Sequence, residues 1–240
     1  MRFFRSLLFQ IWMYGLMALL GILFFPLAAW SREGAYWAIR RYISAVFWGL
    51  RNLCGLTYEI RGEPPKGEAL IACKHQSFLD ILIVMRAVPA AKFVMKRSLV
   101  YAPILGFYAL RIGASPVTRG KGSESLSDMM KGVEGKRTAR GQLVIYPQGT
   151  RVAPDVKAPY KAGAHAIYQA YDLPCHPAAV NTGLFWPRMG VTRKAGIAVL
   201  EFLPPLPAGL DQGEFMERLE VLVEPASDRL AAEARDRFEV

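Results

Sequence analysis

The sequence predicts an α/β fold, a mainly parallel sheet flanked by helices, with an N-terminal membrane-associated helical hairpin. Three observations predict it. From residue 57 onward, short apolar runs alternate with helical stretches, the pattern of strands joined by crossover helices. Several of those runs end in polar clusters, as strands do at the ligand-binding edge of a parallel sheet. Finally, no charged residue occurs in the 25 positions from Ser6 to Trp30.

A helix over that uncharged run reaches about 37 Å, enough to cross a hydrocarbon core of about 30 Å. Trp12, Tyr14 and Trp30 suit interfacial positions, and Arg2 and Arg5 precede the run. A cleaved signal peptide fits poorly, because the apolar region is long and Leu27-Ala28-Ala29-Trp30 lacks a small-x-small site. The next segment, 36–56, mixes Trp37, Ile39, Tyr42, Val46, Phe47 and Leu50 with Arg40, Arg41 and Arg51, as an amphipathic interfacial helix does. Gly34, with Ser31 nearby, supplies the turn between the two. Basic residues flank the first segment on both sides, which favours a hairpin entered from the cytosol over a full span. The alternative is a hydrophobic helix buried in protein. Residues 1–56 are therefore read as membrane-anchoring helices, and 57–240 as the main domain.

Within that domain, 57–61 reads as a strand, 62–67 as a turn, and Ala69–Cys73 as a buried strand. A helix over 78–87 follows, then a strand at 91–95, a helix at 103–112 with Gly106 inside it, and a short strand at 114–117. Residues 123–137 read as a polar surface helix, 142–146 as a strand, 160–171 as a helix, and 175–181 and Gly196–Phe202 as strands. The last segment, 213–238, is amphipathic and helical, with a break expected at Pro225.

The net charge is +10, unevenly spread. Residues 1–60 carry six Lys/Arg against two Asp/Glu, 61–204 twenty against nine, and 205–240 four against nine. A basic middle behind an apolar N-terminus suits an anionic membrane surface and anionic substrates. A pI near 9.7 also raises nucleic acid as a partner. The chain carries no aromatic/basic RNA motif, zinc finger or helix-turn-helix pattern, so no nucleic acid is expected. Cys54, Cys73 and Cys175 are scattered and odd in number, as are His75, His165 and His176, so neither a disulfide framework nor a metal site is expected.

The most informative stretch is Lys74-His75-Gln76-Ser77-Phe78-Leu79-Asp80. It lies between an apolar strand and a helix, so His75 sits on the turn at a strand's carboxyl end. On a continuous helix, residues five apart point about 140° apart and would not meet. Across a bend, Asp80 can reach back and orient His75, and such a pair deprotonates a hydroxyl. The plainer alternative is that Ser77 and Asp80 form a capping box and His75 is an ordinary loop histidine. Two further strands end at Lys96-Arg97 and at Gln148-Gly149-Thr150-Arg151, and a fourth ends at Arg119. Cations converging on a His–Asp pair suit a hydroxyl nucleophile carried on a phosphate-bearing substrate. His176, beside Pro177 in a buried-looking strand, reads as structural, His165 as a helix-face residue, and Trp186 as packing.

These residues resemble the 1-acylglycerol-3-phosphate acyltransferase family, within the wider glycerolipid acyltransferases. His75 to Asp80 is similar to its H-x-x-x-x-D motif. Lys96-Arg-Ser-Leu through Gly106 to Pro116-Val-Thr-Arg119 resembles the second block, and Tyr146-Pro-Gln-Gly-Thr-Arg151 the third, usually F-P-E-G-T-R. Pro177 to Gly183 resembles the fourth, so the motif-bearing core runs over about 70–185. The resemblance implies that His75 is general base on the sn-2 hydroxyl of lysophosphatidic acid, with Asp80 holding it. The alkoxide attacks the thioester of acyl-CoA or acyl-carrier protein, giving phosphatidic acid for phospholipid biosynthesis without an acyl-enzyme or a cofactor. Lys96, Arg119 and Arg151 would bind the phosphate, with Gln148, Gly149 and Thr150 beside them, and backbone N–H groups near the first motif would hold the oxyanion. The implied location is the cytoplasmic membrane, with the site facing the cytosol.

Two positions depart from the family pattern. Gln148 replaces the usual Glu and loses its charge, which keeps lyso-ornithine lipid or another lysolipid open as acceptor. Lys74 replaces a frequent Asn; pointed at His75 it would favour the neutral base, whereas strand alternation can turn it away. A membrane lipid-binding protein without turnover is the alternative of a different class.

Overall fold

A computed structural model describes residues 1–118 and 141–240. Seven strands form one sheet: β1 (Leu56–Arg61), β2 (Ala69–Cys73), β3 (Ala91–Lys96), β4 (Ser115–Val117), β5 (Gln142–Ile145), β6 (Cys175–Val180) and β7 (Gly196–Phe202). Their order is β1-β7-β6-β2-β5-β3-β4. From β6 to β4 the neighbours run parallel, whereas β7 lies antiparallel to β6 and carries β1 parallel to itself. The expected α/β sheet is present, with one reversal of direction toward the β1 edge. The helix expected at 123–137 and the candidate Arg119 lie outside the described residues.

Strand alternation splits the core into two layers. Ile71 and Cys73 of β2 face a cluster with α1 (Arg2–Leu23), α3 (Arg32–Gly49) and α4 (Leu79–Ala87). Leu70 and Ala72 face α6 (Gly163–Tyr171) and α8 (Gln212–Arg237). β2 is apolar at every position because both of its faces are covered, as in a central parallel strand. Among the described residues the other α-helices are α2 (Phe25–Trp30), α5 (Leu105–Arg111) and α7 (Thr182–Phe185).

The uncharged N-terminal run is not one helix. Pro26 lacks the N–H that would continue α1, and the chain bends at Phe24 into α2. The turn into α3 centres on Ser31, whose Oγ accepts the Gly34 N–H at 2.9 Å. Gly34 therefore lies in the first turn of α3 rather than in the link. It is needed there because a Cβ would stand 2.4 Å from the Leu27 carbonyl oxygen.

α3 folds back along α1, with Trp12 Nε1 donating to the Ala45 carbonyl at 3.0 Å. The hairpin is bolted to the main domain by polar contacts. Arg40 Nη2 donates to the carbonyls of Val88 and Pro89 beyond α4, and Arg111 donates to those of Ala28, Ala29 and Trp30 at the end of α2. Tyr108 Oη donates to the Gly21 carbonyl at 3.0 Å.

α8 runs unbroken through Pro225, against expectation. Pro225 is exposed, as is Val221, whose carbonyl loses its helical donor to the proline, so the break in the hydrogen-bond ladder lies on the solvent face of α8. The opposite face of α8 covers β6 and β7 through Phe215, Leu219, Val223 and Leu230.

Candidate active site

The carboxyl ends of β2, β3 and β5 deliver His75, Lys96 and the turn 146–151 to one edge of the sheet, as the strand reading required. Asp80, in the first turn of α4, is completely buried. Its Oδ2 accepts from His75 Nδ1 at 2.9 Å, from the Gln76 N–H at 2.7 Å and from the Ser77 N–H at 2.8 Å. Ser77 Oγ in turn accepts the Leu79 N–H at 3.1 Å. The helix N-cap is Phe78 rather than the expected Ser77, and the Asp80 oxygen that accepts the Ser77 N–H also holds the histidine. The Gln76 and Ser77 N–H groups are committed to this carboxylate, so an oxyanion must find other donors.

Asp80 Oδ1 accepts from the hydroxyl of Thr182, at the start of α7. The His75 ring stacks on Tyr146 with centroids 3.9 Å apart and planes inclined by 20°. One face of the imidazole is therefore covered, and Nδ1 is fixed against Asp80. With Nδ1–H as donor, the lone pair of Nε2 is the basic site. Burial pushes the Tyr146 phenol well above its ordinary value, so it stays protonated beside the ring.

His75 lines a cavity of about 440 Å³. The walls are apolar: Met17 and Leu20 of α1, Ile43 of α3, Leu82 and Met85 of α4, and Tyr108 of α5. Polar groups gather at the His75 end, where the Val152 N–H donates to the His75 carbonyl at 2.8 Å and so places Thr150 and Arg151, and Arg188 reaches the Arg151 carbonyl; Lys96 lines the same cavity. Gly149 takes φ +69°, a left-handed value that suits glycine, and its N–H bonds the Tyr146 carbonyl at 2.8 Å. That turn brings Thr150 and Arg151 round to the cavity.

Gln148 does not line the cavity. It is 2% exposed, and neither its Oε1 nor its Nε2 meets a partner among the described residues. Lys74 points away from His75: its Nζ lies 2.6 Å from Glu224 Oε2 of α8. His165 contacts the Leu210 carbonyl at 3.2 Å, His176 sits mid-strand opposite Ile71, and Trp186 packs edge-on against Phe9, so none of the three reaches the cavity. Motif reading gave no role to Tyr146, Thr182 or Arg188. The first two lie inside quoted motifs, but Arg188 carries no local signal, because its approach to the site is set by tertiary folding.

The fold thus places a His–Asp pair in the wall of an apolar cavity. Residues 57–181, just over half of the chain, match the Acyltransferase family, and the chain belongs to that family. Among curated relatives, it is 25% identical over 160 residues to a 1-acyl-sn-glycerol-3-phosphate acyltransferase of Pseudomonas aeruginosa, covering 66% of this chain and 62% of that protein. It is 30% identical over 164 residues to the Saccharomyces cerevisiae protein of the same name, covering 65% of this chain and 54% of that one. These matches thus span less than two thirds of either relative. Among solved structures, the 1-acyl-sn-glycerophosphate (LPA) acyltransferase PlsC from Thermotoga maritima shares the fold, with TM-score 0.76 over 97% of this chain and 100% of that one at 17% identity.

Proposed function

We propose that the protein is a membrane-bound O-acyltransferase that moves an acyl chain from acyl-CoA or acyl-carrier protein to the sn-2 hydroxyl of lysophosphatidic acid, forming phosphatidic acid. The observation that carries this reading is the His75–Asp80 pair at the polar end of the apolar cavity, with Nδ1 to Oδ2 at 2.9 Å. Nε2 of His75 takes the hydroxyl proton as the alkoxide oxygen bonds the thioester carbonyl carbon. The tetrahedral intermediate collapses, the C–S bond breaks, and the imidazolium returns the proton to the departing sulfur. Asp80 stabilises that imidazolium and fixes the tautomer. Lys96 and Arg151 hold the acceptor phosphate, with Arg119 assigned to it by motif alone. The cavity takes an acyl chain, and relatives named for this acceptor support its identity.

Residues 1–56 serve as the anchor and 57–240 as the catalytic unit. α1 is long and apolar enough to cross a membrane, and only 17% of its most apolar stretch is buried in protein. Trp30, Ile22 and Phe4 are each at least 70% exposed, which supports insertion into a bilayer. The site then faces the cytosol, where thioester donors are made.

The test is a competition assay in mixed micelles with one acyl thioester and three acceptors: lysophosphatidic acid, glycerol 3-phosphate and lyso-ornithine lipid. Product from lysophosphatidic acid, lost in His75→Ala with the fold intact, is expected. Product from lyso-ornithine lipid alone would keep the chemistry and replace the acceptor. A His75→Ala protein that still turns over would remove the general base from the mechanism.

A further inference from the structure

Arg188 stands beyond α7, outside every motif. Its side chain lines the cavity with His75, Arg151 and Lys96, and its Nη1 donates to the Arg151 carbonyl at 3.2 Å. The segment that carries it is fastened to the His75 turn. Thr182 Oγ1 donates to Asp80, the Gly183 N–H donates to Gln76 Oε1 at 3.0 Å, and Trp186, 4% exposed, packs against Phe9 and Phe78. The backbone leading to Arg188 is thereby registered to the base.

The electrostatics around Arg188 are one-sided. Among the described residues no Asp or Glu lines the cavity, and their ion pairs involve neither Lys96, Arg151 nor Arg188. Two arginines and a lysine thus line one apolar chamber that takes no carboxylate from the described residues. Arg188 is also exposed, so its position is not the result of core packing. Planar guanidinium groups match phosphate oxygens in pairs, and a phosphomonoester offers three terminal oxygens and close to two negative charges. A phosphodiester headgroup offers two free oxygens and one charge.

We propose that Arg188 is a further acceptor-binding residue, which with Arg151 brackets the phosphomonoester of the lysolipid and so selects it over phosphodiester lysolipids. The proposal rests on the reading that the acceptor is a lysolipid phosphate. A second phosphomonoester, on the ribose of a CoA donor, shares this chemistry, and the experiment separates the two.

The first measurement is equilibrium binding of lysophosphatidic acid, with no donor present, to the wild type, Arg188→Gln and Arg188→Lys in micelles, followed by tryptophan fluorescence. Loss of a charge-assisted contact predicts binding weaker by about tenfold or more in Arg188→Gln, with partial recovery in Arg188→Lys. Binding of lysophosphatidylglycerol, a phosphodiester of the same chain length, changes less. In turnover, the defect falls on the acceptor KM and leaves the donor KM unmoved. Unchanged lysophosphatidic acid binding in Arg188→Gln overturns the proposal, as does a defect confined to the CoA KM, which would assign Arg188 to the donor. Tight, Arg188-dependent binding with no turnover would instead sink the acyl-transfer reading and leave the binding site standing.

Discussion

Asp80 shows how one residue joins structure to chemistry. A fully buried carboxylate is costly unless its lone pairs are met, and here donors from His75, Gln76, Ser77 and Thr182 meet them. Thr182→Val keeps the shape and removes one donor. It is expected to cost about 1.5–3 kcal/mol in urea unfolding and to lower kcat roughly tenfold with the acceptor KM nearly unchanged, while Thr182→Ser stays close to wild type. Gln148 is the opposite case, a buried amide with no partner among the described residues. Because Gln148 lies outside the cavity, Gln148→Met should match or exceed wild-type stability in thermal melts and leave the acceptor KM nearly unchanged. A melt that falls would show that the amide serves the fold. His75 and Asp80 were legible in the sequence because the turn that joins them is local. Thr182 was not, because it lies 102 residues from Asp80 in the chain and reaches it only when β6 and β2 lie side by side.

At the scale of elements, α8 reaches the site from behind. Lys74 is 2% exposed and pairs with Glu224, whose other oxygen accepts from Tyr160 Oη at 2.8 Å. Burial and the Glu224 charge push the Tyr160 phenol far up, so it remains a donor. Glu224→Leu would strand the Lys74 ammonium and is expected to destabilise by about 3–5 kcal/mol, whereas Lys74→Met combined with Glu224→Leu recovers most of that loss. A double-mutant cycle in urea, with Lys74→Met as the other single variant, checks it; a double-variant loss equal to the sum of the two single losses would show that the pair carries no coupling.

Farther along α8, hydrogen bonds from Arg61 and then Arg229 hold Glu233 below its ordinary 4.5, and Arg235 holds Asp155 below 3.8. A carboxylate with a depressed folded value stabilises above its unfolded value and loses that contribution as pH falls through the folded one. Stability should therefore be level above the ordinary carboxylate range, fall as pH drops below it, and fall less steeply in Arg61→Gln, with modest amplitude because these groups are partly exposed. Thermal melts against pH measure it. The helix itself was legible from its amphipathic pattern. Its passage through Pro225 was not, because the outcome depended on which face of the helix met solvent.

At the scale of the molecule, anchor and catalytic unit share a wall. The inner face of α1 gives Met17, Leu20 and Gly21 to the cavity that contains His75, while Leu8, Ile11 and Ile22 on its outer face are at least 55% exposed. The uncharged run announced α1, but not that the helix would also close a chamber, since that depends on α5 packing against it. Deleting α1 would open the cavity as well as detach the protein, so the two roles must be separated face by face. Leu8→Gln, Ile11→Gln and Ile22→Gln together remove apolar surface worth about 1.5–3 kcal/mol per side chain. Vesicle co-sedimentation should fall more than tenfold while turnover in micelles persists. Gly21→Leu acts on the other face. A Cβ there stands 2.4 Å from Ile104 Cγ2, and Ile104 already holds φ 62°, an uncommon value for a β-branched residue, so the neighbour has little freedom to yield. That variant should bind vesicles as the wild type does and lose turnover of long-chain thioesters more than of short ones. If the outer variant stays on vesicles, the anchor lies elsewhere. If Gly21→Leu slows all chain lengths equally, the chamber does not hold the acyl chain, and its apolar walls would need another occupant.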